Sequence, residues 1–241
     1  MLIKVPLGLM IESLTLIIPT KDDHETIYKN IQEIYDFLCD YTKEFEILIV
    51  SNGSSVNSIS KIDKLLKNYN NTKHIVLKEK GKGLAIREGI KGTKYSNILF
   101  VDADMSVKIH EFKKFIQNGK LLSGFVLGSR KLEKSKNLNS PLLRHASGGI
   151  YSQIVKWMFR INLKDTNCGF KAIDKKIFLN CDEFKLNNFS FDLELVLLAN
   201  KLNIEINEIP VTYIHDKDSS VKILRDSLSM FKDLFILKKR F

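Results

Sequence analysis

The sequence predicts an α/β fold built on a mostly parallel, doubly wound sheet, and three observations carry that prediction. Short apolar runs alternate with amphipathic segments, and connections of only a few residues join them, the rhythm of βαβ units. One apolar run, Asn97-Ile98-Leu99-Phe100-Val101, ends in Asp102-Ala103-Asp104-Met105. Two carboxylates spaced i, i+2 at the end of a buried strand arrive together at the carboxyl edge of a sheet, where open α/β sheets bind ligands.

In chain order, Leu14-Thr15-Leu16-Ile17-Ile18-Pro19 is apolar and stopped by proline, which predicts a buried first strand. Residues 25–41 place Ile27, Ile31, Ile34, Tyr35 and Leu38 at helical spacing. Phe45 to Val50 predicts a second strand, closed by the turn Ser51-Asn52-Gly53-Ser54. Residues 59–69 predict a second helix and 74–77 a third strand. A helix follows over 83–92, preceded by Gly81-Lys82-Gly83, whose free N-terminal amides and dipole suit a phosphate. After Asp104 the rhythm loosens. Phe125 to Gly128 predicts a strand, 131–139 a polar loop, 144–159 and 192–202 helices, and 204–211 a strand. No repeat or linker divides the 241 residues, so one domain is expected, with a nucleotide-sugar half over about 14–105, an acceptor half over about 106–215 and a tail over about 221–241.

The tail places Leu224, Leu228, Phe231 and Phe235 on one stripe, widened by Met230, Leu234 and Leu237, and closes on Lys238-Lys239-Arg240-Phe241. A basic amphipathic helix of this kind can lie on an anionic membrane surface or pack on the sheet. Hydrophobic residues make up 44% of the chain, enough for a core, and the net charge is +10 with a pI near 9.3. That balance favours anionic partners. A nucleic-acid-binding protein is the remote alternative, since no recognition helix or aromatic-basic interleaving accompanies the charge. Cys39, Cys168 and Cys181 are too few and too irregular for a zinc site, which predicts buried, reduced thiols. The opening residues lack a signal peptide's apolar core, and no stretch reaches the roughly 18 to 20 apolar residues of a spanning helix. The expectation is a cytoplasmic protein, peripheral at the cytoplasmic face of a membrane.

Four polar segments would converge if the sheet is parallel: Pro19-Thr20-Lys21-Asp22-Asp23, Ser51 to Ser54, Gly81-Lys82-Gly83, and Asp102 with Asp104. Together they suit a metal-bound diphosphate, because Mg²⁺ is commonly held by one or two carboxylates plus substrate phosphates.

In this arrangement the chain resembles the family-2 glycosyltransferases of GT-A fold, and within them the dolichyl-phosphate glucosyltransferase and polyprenyl-phosphate glycosyltransferase branch. Seven segments carry the likeness in family order: Pro19 to Asp23, Val50-Ser51-Asn52-Gly53-Ser54, Gly81-Lys82-Gly83-Leu84-Ala85-Ile86-Arg87, Asp102-Ala103-Asp104, Gly128-Ser129-Arg130, Asp165-Thr166-Asn167-Cys168-Gly169-Phe170-Lys171, and Phe191-Asp192-Leu193-Glu194-Leu195. Ser51 and Asn52 stand where the family has acidic residues, and Ser219-Ser220-Val221-Lys222 departs from the family's Gly-Ser-Lys.

The resemblance implies a Rossmann-like, mostly parallel sheet flanked by helices. It implies inverting transfer of a hexose, glucose favoured, from a nucleotide-diphosphate sugar such as UDP-glucose to a polyprenyl or dolichyl phosphate; a GT-A transferase using a hydroxyl acceptor in polysaccharide or protein-glycan synthesis is the alternative. Asp102 and Asp104 would hold Mg²⁺ or Mn²⁺. Pro19, Thr20, Asp22, Asn52, Lys82, Arg87, Asp102 and Ala103 would bind the nucleotide sugar, and Arg130, Arg144 and Lys171 the acceptor phosphate. Asp192 falls at the family's acidic position and is cast with Asp104 as catalytic, as general base or as an orienting group. An acceptor phosphate monoester, whose second pKa is about 6, is already ionised at neutral pH and has less need of a base.

Overall fold

β1 (Ile11–Thr20) is the axis on which the rest is hung. In a computed structural model, which describes residues 10–139, 142–178, 184–215 and 223–241, β1 pairs in parallel with β2 (Thr42–Asn52) on one side and β4 (Asn97–Val101) on the other. β3 (Thr72–Leu77) lies outside β2, also parallel. The chain therefore runs outward from β1 through β2 to β3 and returns to β4 on the opposite flank. The crevice at the carboxyl ends of β1 and β4 is the topological switch point at which such sheets bind ligands.

Beyond β4 the sheet departs from the expectation. β9 (Phe170–Asp174) pairs antiparallel with β4 and with β7 (Phe125–Ser129), and β10 (Ile206–Pro210) closes the edge in parallel with β7. The seven-stranded order is β10-β7-β9-β4-β1-β2-β3. Sequence pattern missed β9 because Lys171 interrupts its apolar run at a position that is wholly buried. The loop expected over 131–139 likewise contains a short strand, β8 (Lys136–Leu138), pairing with β11 (Thr212–Ile214). A hairpin of β5 (Ile116–Gln117) and β6 (Lys120–Leu121) precedes β7.

The central strands read as continuous apolar runs because both faces are covered. Leu14, Leu16 and Ile18 of β1 point into one core layer, with Ile27, Ile31 and Ile34 of α1 (His24–Tyr41) and Ile62 of α2 (Val56–Leu66). Ile17 points into the other, with Ile86 and Ile90 of α3 (Lys82–Lys91), Val155 of α4 (Leu142–Phe159) and Leu195 of α5 (Phe191–Lys201). Of the cysteines, Cys168 is buried as expected; Cys39 is exposed, a correction, and Cys181 lies outside the described residues.

The C-terminal helix α6 (Ile223–Lys238) packs on the protein rather than standing free. Leu234 and Leu237 are buried in the second core layer, Phe231 meets Tyr151 of α4 ring to ring at 6.0 Å, and the Lys238 ammonium donates to the Met158 carbonyl at 2.7 Å. Arg240 pairs with the buried carboxylate of Glu194. Of the expected apolar stripe, Leu234 and Leu237 are thus spent on the core and Phe231 is partly covered, while Phe235 faces outward; the side chains of Leu224 and Leu228, and residues 216–222 with Lys222, lie outside the described residues. Leu234→Ala is expected to lower the unfolding free energy in urea by about 2–5 kcal/mol. An unchanged midpoint would show that α6 is not part of the core.

Candidate active site

Local backbone chemistry brings the strand ends together. Asp22 has φ 64°, and its carboxylate accepts the Ser55 amide at 2.8 Å, which ties the turn after β1 to the start of α2 and holds its carboxyl below the usual range. Asn52, at the end of β2, donates to the Thr20 carbonyl at 2.8 Å and accepts from the Gly81 amide at 3.0 Å. These two bonds pin β1, β2 and the approach to α3 to one another. Ser51 is also used internally, with Oγ 2.8 Å from His74 Nε2.

The Gly81-Lys82-Gly83 turn carries a correction. Asn187, in the segment leading to α5, offers its carbonyl to the amides of Gly83 at 3.0 Å and Leu84 at 3.4 Å. Two of the helix's N-terminal donors are therefore capped by protein, and the glycines serve a different closeness. A Cβ at Gly81 would lie 2.3 Å from the Asn187 carbonyl oxygen, and one at Gly83 would lie 2.5 Å from Phe191 Cβ. Arg87 belongs to the same seam: Nη1 donates to the Phe184 carbonyl at 3.0 Å and Nη2 to Asn187, so it holds the α5 approach against α3 and does not line the cavity.

What the turn delivers to the cavity is the Lys82 side chain. Its ammonium lies 2.6 Å from Asp102 Oδ1 and 3.4 Å from Asp192 Oδ2. Asp192, in the first turn of α5, pairs through its other oxygen with Lys171 of β9, which also donates to the Cys168 carbonyl at 2.6 Å. Four charged groups from α3, β4, α5 and β9 thus form one chain. Burial alone would lower the Lys82 pKa, but Asp102 and Asp192 outweigh it and hold the ammonium above its ordinary range. Burial would raise the Asp192 carboxyl, and Lys171 and Lys82 outweigh that, keeping it below the usual carboxylate range. Lys171 is wholly buried and committed to this chain, so it does not stand with the acceptor-phosphate cations as expected.

The cavity above this chain, about 180 Å³, is lined by Lys82, Asp102, Asp104, Arg130 and Asp192 among others. Asp104 accepts the Ser106 amide at 2.9 Å, and its carboxyl is pushed up by burial and by the neighbouring Asp102 charge. Ala103 between them is buried in the apolar core layer. Gly169 admits Asp102: a Cβ there would lie 1.7 Å from Asp102 Oδ2, while the Gly169 carbonyl accepts the Asp102 amide at 3.1 Å. Arg130 is clamped by Asp165, Nε to Oδ2 at 2.7 Å and Nη2 to Oδ1 at 2.9 Å, and sits over the Tyr213 ring at 5.4 Å. The Arg130 guanidinium outweighs burial and holds the Asp165 carboxyl well below the usual range. The side chain of Arg144 lies outside the described residues. Pro19 and Thr20 are buried at the same edge, at the end of β1.

Asp102 and Asp104 suit a hard divalent cation. Each repels the other, one ammonium is shared with Asp192, and among the described residues no cluster of three or more His, Cys, Asp or Glu side chains is placed to hold a metal. Two carboxylates with the remaining ligands left to phosphate and water is the usual Mg²⁺ arrangement. The Asn187 cap, the Arg130–Asp165 clamp and the Gly169 gap were missed from sequence; Asp165 and Gly169 stand in the segment quoted above, but their partners are 35 and 67 positions away.

The chain is similar to known glycosyltransferases. The chain is 26% identical over 250 residues to a dolichyl-phosphate beta-glucosyltransferase of Saccharomyces cerevisiae, covering 93% of this chain and 74% of that one. It is also 26% identical to the dolichyl-phosphate beta-glucosyltransferase of Drosophila melanogaster, over 95% and 75% of the two chains. Among solved structures, glucosyl-3-phosphoglycerate synthase of Mycobacterium tuberculosis with UDP superposes with a TM-score of 0.68 at 10% identity, covering 95% of this chain and 80% of that one. A mannosyltransferase of Pyrobaculum calidifontis with GDP-mannose and Mn²⁺ gives 0.62 at 13% identity, covering 98% and 67%. These likenesses establish the GT-A fold. The profile of glycosyl transferase family 2 matches residues 15–191, well over half of the sequence, and the chain belongs to that family of glycosyltransferases.

Proposed function

We propose that the protein transfers glucose from UDP-glucose to a dolichyl or other polyprenyl phosphate, with inversion at the anomeric carbon. The observation that carries this reading is the Lys82–Asp102 and Lys82–Asp192–Lys171 charge chain at the floor of the switch-point cavity; the named activity of the similar curated proteins supports the substrates. Asp102 and Asp104 would hold a divalent cation, Mg²⁺ or Mn²⁺, which supplies positive charge to the departing diphosphate. Lys82 adds a fixed ammonium on the same side, positioned before reaction and therefore without reorganisation cost. Thr20 and Asp22 bound the end of β1 where the nucleoside would rest.

A phosphate oxygen of the acceptor attacks the anomeric carbon as its bond to the UDP oxygen breaks, and no proton needs removal from an acceptor already ionised. Asp192 supports that choice over a hydroxyl acceptor. A carboxylate held ionised by two lysines is a weak base, and its work is to orient Lys82. Arg130, pre-set by Asp165 with Nη1 outside that clamp, is the cation offered to the acceptor phosphate.

Contact with the lipid's membrane would run through the outward side of α4 and α6. Trp157 is 82% exposed, Ile150 60%, Phe235 65% and Ile236 50%, with Lys232 and Lys239 exposed beside them. Aromatic and aliphatic side chains edged by lysine suit an anionic bilayer surface. No described helix is long and apolar enough to cross a membrane.

Incubation with labelled UDP-glucose and a short polyprenyl phosphate is expected to move label into the organic phase only with Mn²⁺ or Mg²⁺; label on soluble glycans instead would favour the hydroxyl acceptor. Asp104→Asn is expected to reduce the rate about a hundredfold or more with the melting temperature retained, and full activity would remove the metal role. Lys171→Met is expected to destabilise the fold by about 3–5 kcal/mol, because Asp192 loses its buried partner, with Lys171→Met/Asp192→Leu recovering part of that loss in urea unfolding. Trp157→Ser with Phe235→Ser is expected to weaken sedimentation with phosphatidylserine vesicles several-fold and leave UDP affinity unchanged; undiminished sedimentation would exclude this face.

A further inference from the structure

The consecutive residues Asn187 to Asp192 assemble the cavity floor, and they divide between two directions. Toward the site, Asn187 caps α3, Phe189 lines the cavity with its ring 6.0 Å from the Lys82 ammonium, and Asp192 meets Lys82 and Lys171. Asn188 and Ser190 turn instead to a single carboxylate of α6. Asp233 Oδ2 accepts from Asn188 Nδ2 at 2.8 Å and from Ser190 Oγ at 2.6 Å. The Asn188 side-chain oxygen accepts the Ser190 amide at 3.0 Å, which closes the set into a ring. Ser190 stands at the N-cap of α5, where a serine hydroxyl ordinarily accepts an amide of the first turn. It makes no such bond here, and its hydroxyl is given to Asp233. Asp233 is only 7% exposed, and a carboxylate so buried is costly to keep unless it is hydrogen-bonded.

The consequence reaches Lys82. Of the contacts in the charge chain, the 3.4 Å approach of Asp192 to the Lys82 ammonium is the longest. It is therefore the one that a small shift of the first turn of α5 breaks, while Lys171 keeps its hold on the other Asp192 oxygen. Phe189 lies between the two residues that bond Asp233, and Asp192 follows two positions after Ser190, so the ring braces wall and carboxylate from behind. The geometry points to Asp233 as a positioning residue for the transfer, acting through Asn188 and Ser190 to hold Asp192 and Phe189 against Lys82. The same helix turns Phe235 and Ile236 outward. The element offered to the bilayer thus also braces the residues that act on the lipid's phosphate. This rests on the transferase reading above and deepens it.

The test compares Asp233→Leu, Asp233→Asn and Ser190→Ala with wild type by two readouts. One is kcat for transfer from UDP-glucose to a short polyprenyl phosphate with Mn²⁺. The other is the rate at which acetic anhydride labels Lys82 in ligand-free protein, followed by peptide mass spectrometry. Asp233→Leu is expected to lower kcat about tenfold to a hundredfold. It should also label Lys82 several-fold faster, because an ammonium that loses a carboxylate partner gives up its proton more readily. Wholly buried Lys171 should stay protected, which separates displacement of α5 from unfolding. Asp233→Asn, whose amide oxygen can accept both bonds, should recover most of the rate and the wild-type labelling. Ser190→Ala removes one of the two bonds and no cap, and should show both effects in smaller measure; it decides the question if Asp233→Leu exposes Lys171. Either readout unchanged in a folded variant, or no recovery with Asp233→Asn, would overturn the inference. Faster Lys82 labelling in the variants of a protein that glucosylates no lipid phosphate would refute the transferase reading and leave Asp233 in its role; normal glucosylation with variants indistinguishable from wild type would do the reverse.

Discussion

The buried pairing of Asp192 with Lys171 is the constraint on which the site depends. A lysine in the middle of a central strand is affordable only with a counter-charge and full hydrogen bonding, and α5 supplies the carboxylate from its first turn. That requirement docks α5 over β9, and with it the segment before α5 whose Asn187 carbonyl caps α3. Capping α3 aims Lys82 at Asp102. The antiparallel strand that carries Lys171 also carries Gly169 at its edge, the one residue small enough to admit Asp102. Sheet topology, helix docking and cavity charge are therefore one problem with one solution.

Much of this was legible in the order of residues. The strands of the first half end where apolar runs meet polar turns, because a strand covered on both faces has no polar position until it leaves the sheet. The convergence of Thr20, Asn52, Lys82 and Asp102 on one edge follows from parallel strands alone. The second half was less legible. Phe170-Lys171-Ala172-Ile173 reads as a broken strand until Asp192, 21 residues on, is known to neutralise Lys171. Roles were harder still to read than positions. Asn52, Arg87 and the two glycines around Lys82 look like ligand-binding groups by type, yet their partners are backbone and side-chain groups of distant segments. Nothing in local sequence distinguishes an amide that reads a base from one that pins a loop.

The tail shows the same limit from the other direction. Its helical stripe was correctly periodic, but periodicity reports that a face is buried and not what buries it. Tyr151 on α4 and Glu194 on α5 take up Phe231 and Arg240, and what remains outward is a smaller apolar surface shared with Trp157.

The central claim is that Asp102, Asp104 and Lys82 gather around one cation and one diphosphate. Anomalous diffraction at the manganese edge, from crystals grown with Mn²⁺ and UDP, tests it most directly. A single strong peak in contact with both carboxylates at the cavity floor is expected, with diphosphate density within reach of the Lys82 ammonium. A peak elsewhere, or diphosphate bound away from Lys82, would contradict it.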